Sequence, residues 1–212
     1  MAAHPTKRPQ TVSPASAATS SAQRIVKAAR EHFFAHGLRS VTMDDLAAEL
    51  GMSKKTLYAE FASKTDLLRA VLLDKFRTIE ADLENIVAQS SANALTALQQ
   101  LLACMQRHTE EIQPPFVRDI RREAPELFNL VESRRRELIR RYFGRIFDDG
   151  RREKIIRSDI STEIILEILL AAVQSIMNPA KIEALGISPK SGYGAIVAVI
   201  LEGVLTAKGR AK

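Results

Sequence analysis

The sequence predicts an all-α protein, and three observations support this fold class. Beyond residue 19, apolar residues recur at spacings of three and four, and no stretch alternates with period two over the length of a strand. Proline and glycine fall between the periodic segments rather than inside them. The 212 residues are 46% hydrophobic and 26% charged, which is typical of globular proteins and allows one domain or two small ones.

The first 19 residues contain prolines among alanine, serine and threonine. A segment with so little apolar surface cannot offset the entropy lost on ordering, so we predict a flexible N-terminal arm over residues 1–19. Lys7 and Arg8 are followed by polar residues instead of an apolar run. We therefore expect no signal peptide.

After this arm, the first four predicted helices have recognisable ends. Gly37 suits the C-terminal end of the first helix, whereas Thr42 and Ser53 can cap the second and third through their side-chain oxygens. Asp44 and Asp45 suit the positive end of the second helix. The predicted bounds are about Ser20–His36, Met43–Leu50 and Ser53–Phe61, with a fourth helix starting near Ser63.

The remaining chain has room for five more helices. Pro114 and Pro115 stop the first of them, Pro125 suits the opening turn of the third, and we predict that Gly150 ends this third helix. The predicted bounds are about Asn93–Ile112, Phe116–Glu123, Pro125–Phe147, Ser161–Met177 and Gly192–Ala207.

Residues 42–61, TMDDLAAELGMSKKTLYAEF, have the pattern of a helix-turn-helix, in which a short turn containing glycine joins two short amphipathic helices. The inward positions are apolar: Leu46, Ala47, Leu50 and Leu57. The second helix presents polar side chains that can bond phosphates and base edges: Lys54, Lys55, Thr56 and Tyr58. The same spacing occurs in helical proteins that bind no DNA, so a helical partner-binding adaptor remains the alternative.

A longer pattern surrounds this motif, in order and without gaps, from about residue 22 to residue 72. It consists of FFAHG at 33–37, VTMDDLA at 41–47, LGMS at 50–53, TLY at 56–58, Phe61, SK at 63–64 and LL at 67–68. This pattern resembles the TetR family of transcriptional regulators. The rest of the chain resembles that family only in length and helical layout.

The resemblance implies a three-helix helix-turn-helix DNA-binding head followed by a larger helical domain for ligand binding and dimerisation. The corresponding division is an arm over 1–19, a DNA-binding domain over 20–66 and a ligand-binding and dimerisation domain over 67–212. The implied function is sequence-specific transcriptional regulation. The expected protein is a repressor, which a small, largely apolar ligand releases from a near-palindromic operator.

The resemblance also implies DNA contacts at matching positions. Thr42 and Lys64 would contact phosphates from the starts of the second and fourth helices, and Tyr58 would reach the DNA backbone. The third helix would lie in the major groove. The predicted DNA-binding residues are Thr42, Ser53, Lys54, Lys55, Thr56, Tyr58 and Lys64.

Two features depart from many members of the family. Where Lys55 stands, many members have a small residue, so Lys55 either adds a base or phosphate contact or points into solvent. The arm is also longer than many members need. Its Lys7 and Arg8 either reach the minor groove or stay mobile.

Two late helices are apolar nearly all round, which is typical of helices buried on two sides. One side would face the protein's own core and the other a second copy in a homodimer, although a fully internal helix pair would show the same pattern. The predicted dimer-interface residues are Ile164, Ile168, Ala172, Ile176, Ile196, Ile200 and Val204.

A ligand pocket is expected among the fourth to eighth helices, with apolar walls and a few polar side chains that orient the ligand. The same aromatic stripes would also suit a plain core. The predicted pocket residues are Leu102, Met105, Gln106, Thr109, Phe116, Phe128, Tyr142 and Gln174.

Enzymatic function is disfavoured, because the sequence has no phosphate-binding glycine loop, nucleophile elbow or metal-ligand cluster. We therefore expect no catalysis, no cofactor and no metal. His32 and His36 have the spacing of a metal-binding pair but lack a third ligand in reach. The single cysteine, Cys104, excludes an intrachain disulfide, and its apolar neighbours suggest a buried, inert thiol.

The net charge of +6 allows a polyanionic partner without requiring one. The longest apolar stretch, residues 164–177, is interrupted by polar residues and is shorter than the about 20 residues that a membrane span needs. We expect a cytoplasmic protein with no membrane contact. Its expected partners are a double-stranded DNA operator, a second copy of the chain and a small-molecule effector.

Overall fold

The computed structural model describes residues 14–89 and 93–211, with side chains from residue 21 onwards. These ranges contain eleven helices and no β-strand, which confirms the all-α prediction; one isolated bridge joins Ile156 and Leu205. The helices are α1 (Pro14–His36), α2 (Met43–Glu49), α3 (Lys54–Glu60), α4 (Lys64–Gln89), α5 (Ala94–Glu110), α6 (Pro114–Glu123), α7 (Pro125–Arg152), α8 (Thr162–Ile176), α9 (Pro179–Leu185), α10 (Pro189–Val204) and α11 (Ala207–Arg210).

The beginning of α1 differs from the prediction. The helix starts at Pro14 rather than near Ser20, so the end of the predicted arm is helical. Lys7 and Arg8, for which we considered a minor-groove contact, lie outside the described residues.

The prediction that Gly150 ends the seventh helix is wrong, because α7 continues to Arg152. A Cβ atom at Gly150 would lie 2.6 Å from Cδ1 of Ile156. The glycine is therefore needed for close packing of the returning chain and not for ending the helix. Two short helices, α9 and α11, were not predicted, and Asn178 and Thr206 cap them.

The N-terminal core lies among α1, α2, α3 and the first half of α4. Ile25, Phe33, Leu46, Leu57 and Leu67 are its fully or almost fully buried members. Helix α6 and the start of α7 complete this core with three more buried side chains: Phe116, Ile120 and Leu127. The head thus packs directly onto a later part of the chain.

The second core lies among the rest of α4 and helices α5, α7, α8 and α10. Helix α4 is one continuous helix with buried residues in both cores. It therefore joins the head, which contains the N-terminal core, to the rest of the chain around the second core, which is called the body below. No single helix within the described ranges is long and apolar enough to cross a membrane, although α8 and α9 taken together across a 77° bend have that length and composition.

Candidate functional site

Both short helices of the head begin with the predicted caps. The Thr42 hydroxyl accepts a hydrogen bond from the Asp45 backbone N–H at 3.1 Å, and the Asp45 carboxylate accepts one from the Thr42 N–H, which completes a capping box. The Ser53 hydroxyl accepts from the Thr56 N–H in the same way at 3.1 Å. Gly51, at φ +63, makes the turn between the two helices.

Helix α3 has one buried residue, Leu57, which is fully enclosed by the N-terminal core. The opposite face of the helix is exposed to solvent and carries Lys55, Thr56 and Tyr58, with the tyrosine 48% exposed. A side chain that is large, partly apolar and half exposed offers both a ring and a hydroxyl to a partner. The inward and outward positions are therefore those that the motif predicts.

The two lysines at the start of α3 have different surroundings. The Lys54 ammonium lies 2.5 Å from the Asp44 carboxylate of α2, and this hydrogen bond raises the pKa of Lys54. Lys55 is exposed and forms no ion pair with any described residue. Of the two positive charges, only that of Lys55 lacks a compensating carboxylate.

The half-buried Lys64 side chain contacts other residues of the head. Its ammonium donates a hydrogen bond to the Leu38 carbonyl oxygen and lies 5.9 Å from the ring centroid of Phe33, and burial lowers its pKa. Phe33 belongs to α1 and Leu38 to the α1–α2 connection, and both are distant from Lys64 in sequence. The hydrogen bond to Leu38 ties the Lys64 side chain to the α1–α2 connection, and its phosphate contact stays a prediction.

Helix α6 is attached to the head at the end of α1. The buried Asp119 carboxylate accepts a hydrogen bond from the Arg39 backbone N–H at 3.0 Å. The rings of Phe34 and Phe116 meet edge to face with centroids 4.9 Å apart. Gly37, at φ +83, permits this approach.

The body contains a partly open cavity of about 190 Å³ beside α6. Its walls are mostly apolar and come from α1, α4, α5, α6, α7, α8, α9 and α10. Of the predicted pocket residues, five line it: Met105, Thr109, Phe116, Phe128 and Gln174.

The other three predicted pocket residues lie elsewhere. Leu102 is buried in the second core. The Gln106 side chain donates to Glu110 at 3.1 Å, and the Tyr142 hydroxyl donates to Glu84 at 3.2 Å. Gln106 thus pairs with a residue of its own helix and Tyr142 with a residue of α4, and none of the three lines the cavity.

A buried polar cluster forms one wall of the cavity. The ammonium of Lys75 lies 2.7 Å from the Glu111 carboxylate and 2.9 Å from Nδ1 of His108, and Nε2 of His108 lies 2.9 Å from Asp82. Burial lowers the pKa of both Lys75 and His108, and the lysine charge lowers the pKa of His108 further. Glu111 also accepts from Arg30 of α1 at 2.7 Å, so the cluster links the cavity wall to the head.

Lys75 is not among the site residues that the sequence predicted. The available signal was its position in the apolar stripe of α4, four residues after Val71 and four before Ile79. A lysine at such a position needs polar partners, and His108 of α5 and Glu111 at its C-terminal cap supply them.

Metal-ligating atoms of Asp82, Cys104 and His108 all lie within 4.8 Å of one another. The carboxylate already accepts from His108 and from Arg107, the latter at 3.0 Å. Burial raises the pKa of the Cys104 thiol, which disfavours the thiolate that a metal requires. The arrangement fits a hydrogen-bonded network better than a metal site. His32, considered with His36 as a metal pair, lies 2.5 Å from the Glu49 carboxylate.

The outer surfaces of α8 and α10 are apolar and exposed. Ile164, Ile168 and Val199 are 55%, 50% and 71% exposed, respectively. Two of the predicted interface residues, Ile196 and Val204, are instead buried in the second core, because they lie on the side of α10 that packs against the body. The remaining predicted members, Ala172, Ile176 and Ile200, are partly buried against the same core.

Together, the capped helix pair, its glycine turn and the exposed face of α3 define the head as a helix-turn-helix unit. Residues 25–71 match the family model described as bacterial regulatory proteins, tetR family. The head therefore matches the N-terminal domain of this family.

Similar proteins agree with this assignment. A segment of 86 residues is 35% identical to the uncharacterized HTH-type transcriptional regulator YvaF of Bacillus subtilis, covering 39% of this chain and 44% of that protein. A segment of 60 residues is 37% identical to the HTH-type transcriptional regulator SrpR of Pseudomonas putida, covering 28% of each chain. The match thus spans less than half the length of these curated relatives.

The fold extends beyond the matched head. A TetR-family transcriptional regulator from Agrobacterium tumefaciens superposes with a TM-score of 0.70, covering 89% of this chain and all of that chain at 18% sequence identity. At this identity the likeness establishes the all-helical fold of head and body.

Proposed function

We propose that this chain is a homodimeric DNA-binding transcriptional regulator, a repressor that a small, largely apolar ligand releases from a near-palindromic operator. The observation that carries the proposal is the exposed face of α3, which presents Lys55, Thr56 and Tyr58 while Leu57 holds the helix to the core. A helix fixed in this way can enter the major groove with its polar face towards the base edges.

The roles within this face follow from the surroundings of each side chain. Lys55 supplies an uncompensated charge for a base or phosphate, and the Tyr58 hydroxyl reaches the DNA backbone. Lys54 contributes less charge, because Asp44 neutralises it. Thr42 and Ser53 occupy exposed helix starts and remain proposed phosphate contacts. Lys64 remains one as well, and its hydrogen bond to Leu38 also holds the α1–α2 connection.

Dimerisation is proposed through the exposed apolar face of α8 and α10, around Ile164, Ile168 and Val199. Contact with the same face of a second copy would remove these side chains from water and would place two heads on one DNA duplex. Two-fold symmetry then requires two half-sites in opposite orientation.

Release is proposed to start at the cavity. One side of α6 lines the cavity through Phe116 and Ile120, and the same helix contacts the head through Asp119. A ligand that binds more tightly when α6 is in one position therefore also stabilises the position of the head that accompanies it. Such a ligand lowers DNA affinity when that position separates the two heads too widely for adjacent major grooves.

The test is fluorescence anisotropy with labelled DNA from the region flanking the gene, at low and moderate salt and with random-sequence competitor. We expect specific binding whose affinity falls steeply with salt concentration, because the lysine and arginine side chains of the bound protein displace counterions from DNA. Tyr58→Ala should weaken binding at least tenfold while Arg77→Ala, on the exposed surface of α4, should not. Salt-insensitive binding of a protein partner without DNA binding would instead identify a helical adaptor.

A further inference from the structure

Arg135 of α7 lies in the wall of the cavity and has an unused hydrogen-bond donor. Its Nη2 donates to Glu132 at 2.5 Å, but its Nε is buried and has no hydrogen-bond partner within residues 14–89 and 93–211. Buried N–H groups are normally paired, because an unpaired donor loses its bonds to water without replacement. An acceptor supplied by a bound molecule would satisfy this nitrogen.

The charges in the cavity wall favour a negatively charged acceptor. Lys75, Arg121 and Arg135 are the cationic side chains of the described wall, and Glu132 is its one carboxylate. The Arg121 guanidinium lies 4.7 Å from the ring centroid of Phe128, which holds a second cation at the same wall. Lys75 already has Glu111 and His108 as partners, which leaves Arg135 as the cation with a vacant buried donor.

The rest of the wall selects an apolar molecule of limited size. Leu72, Phe76, Met105 and Ile139 are among its side chains, and the volume is about 190 Å³. An apolar cavity of about 150 Å³ is large enough to bind benzene. One aromatic ring or a medium-length alkyl chain therefore fits this space.

We propose that the cavity binds a monocarboxylic acid with an apolar body of this size, and that its carboxylate accepts a hydrogen bond from Nε of Arg135. The inference rests on the proposed function, because it names the chemical class of the effector for the same cavity. The carboxylate satisfies the buried donor and offsets the positive charge of the wall, while the apolar body fills the remaining space.

Isothermal titration of the full chain with octanoate, octan-1-ol and octylamine tests the proposal, because the three probes differ only in the head group. We expect octanoate to bind at least tenfold more tightly than octanol, as charge-assisted hydrogen bonds allow, and octylamine to bind most weakly. Arg135→Met should reduce octanoate affinity to that of octanol and leave octanol affinity unchanged. The double variant Arg135→Met/Glu132→Gln should behave likewise, with no carboxylate left unpaired.

Arg134→Met is the matched control, because Arg134 is the preceding residue of α7 but faces solvent and pairs with Glu137 at 3.0 Å. Equal affinity for octanoate and octanol, no binding of any probe, or a loss seen in Lys75→Met but not in Arg135→Met would each overturn the proposal. Circular dichroism checks that every variant is folded.

DNA binding of the same samples separates this proposal from the proposed function. A chain that binds its operator specifically but does not prefer octanoate retains the regulatory function and loses the carboxylate site. A chain that binds octanoate as expected but no DNA retains the site and loses the regulatory function.

Discussion

Replacing Gly37 by alanine should destabilise the protein through two separable effects. The residue has φ +83, and a side chain in this region costs about 1–2 kcal/mol for any residue other than glycine. In addition, the new Cβ would lie 2.6 Å from Oδ2 of Asp119 and 3.1 Å from the carbonyl carbon of Pro115. The Pro115 contact is with backbone, which cannot easily shift, so the Asp119 carboxylate has to move to make room for the new Cβ.

The second effect follows from what Asp119 does. Its carboxylate is buried and accepts a hydrogen bond from the Arg39 N–H, and hydrogen bonds to charged groups contribute about 1.5–3 kcal/mol. The expected loss in the free energy of unfolding for Gly37→Ala is therefore about 2.5–5 kcal/mol. Gly51→Ala is the matched control, since Gly51 has φ +63 but no atom within 4 Å of the added Cβ, and should lose only about 1–2 kcal/mol.

Urea unfolding followed by circular dichroism, at one fixed protein concentration, measures both losses. The difference between the two variants reports the contact between α6 and the end of α1. Equal losses, within about 0.5 kcal/mol, would refute the argument that Gly37 is needed for the approach of Asp119.

Three further predictions concern the head, the dimer and the cavity wall. Lys55→Ala should reduce the slope of log affinity for DNA against log salt by about one, whereas Lys54→Ala should change it less because Asp44 neutralises that charge; a larger change for Lys54 would reject this ranking. Ile168→Asp should yield folded monomers in analytical ultracentrifugation, whereas Ile196→Asp should unfold the body; a folded Ile168→Asp dimer would place the interface elsewhere. Burial lowers the pKa of His108 in the folded state, so as the pH falls the imidazole of the unfolded chain becomes protonated before that of the folded chain. The free energy of unfolding should therefore decrease as the pH drops from about 7 to 5. Urea midpoints should depend less on pH in His108→Gln, and an unchanged dependence would exclude His108 as the cause.

The sequence was most informative where structure is determined by neighbouring residues. Thr42 and Ser53 are the helix caps that their positions predicted, because a cap and its N–H partners lie within three residues. The burial of Leu57 and the exposure of Tyr58 follow from the helical repeat of the same short segment.

Contacts between distant segments could not be predicted in this way. The Lys64 ammonium is held by a carbonyl of the α1–α2 connection, and Gly150 packs against Ile156 after the chain reverses. The inward orientation of Ile196 had no sequence signal, because a helix that is apolar nearly all round does not show which face packs on its own core. The cavity wall likewise combines residues from eight helices, so only some of its members could be identified from one periodic stripe.

The composition of the N-terminal core has a consequence for protein engineering. Phe116, Ile120 and Leu127 belong to that core although the whole of α5 separates them from α4. The head is therefore a discontinuous folding unit. A chimaera that receives only residues 20–66 would expose the apolar side of the transplanted head that α6 normally covers. A transferable DNA-binding module has to include α6 and the first turn of α7, or the recipient has to supply a helix of the same shape at that position.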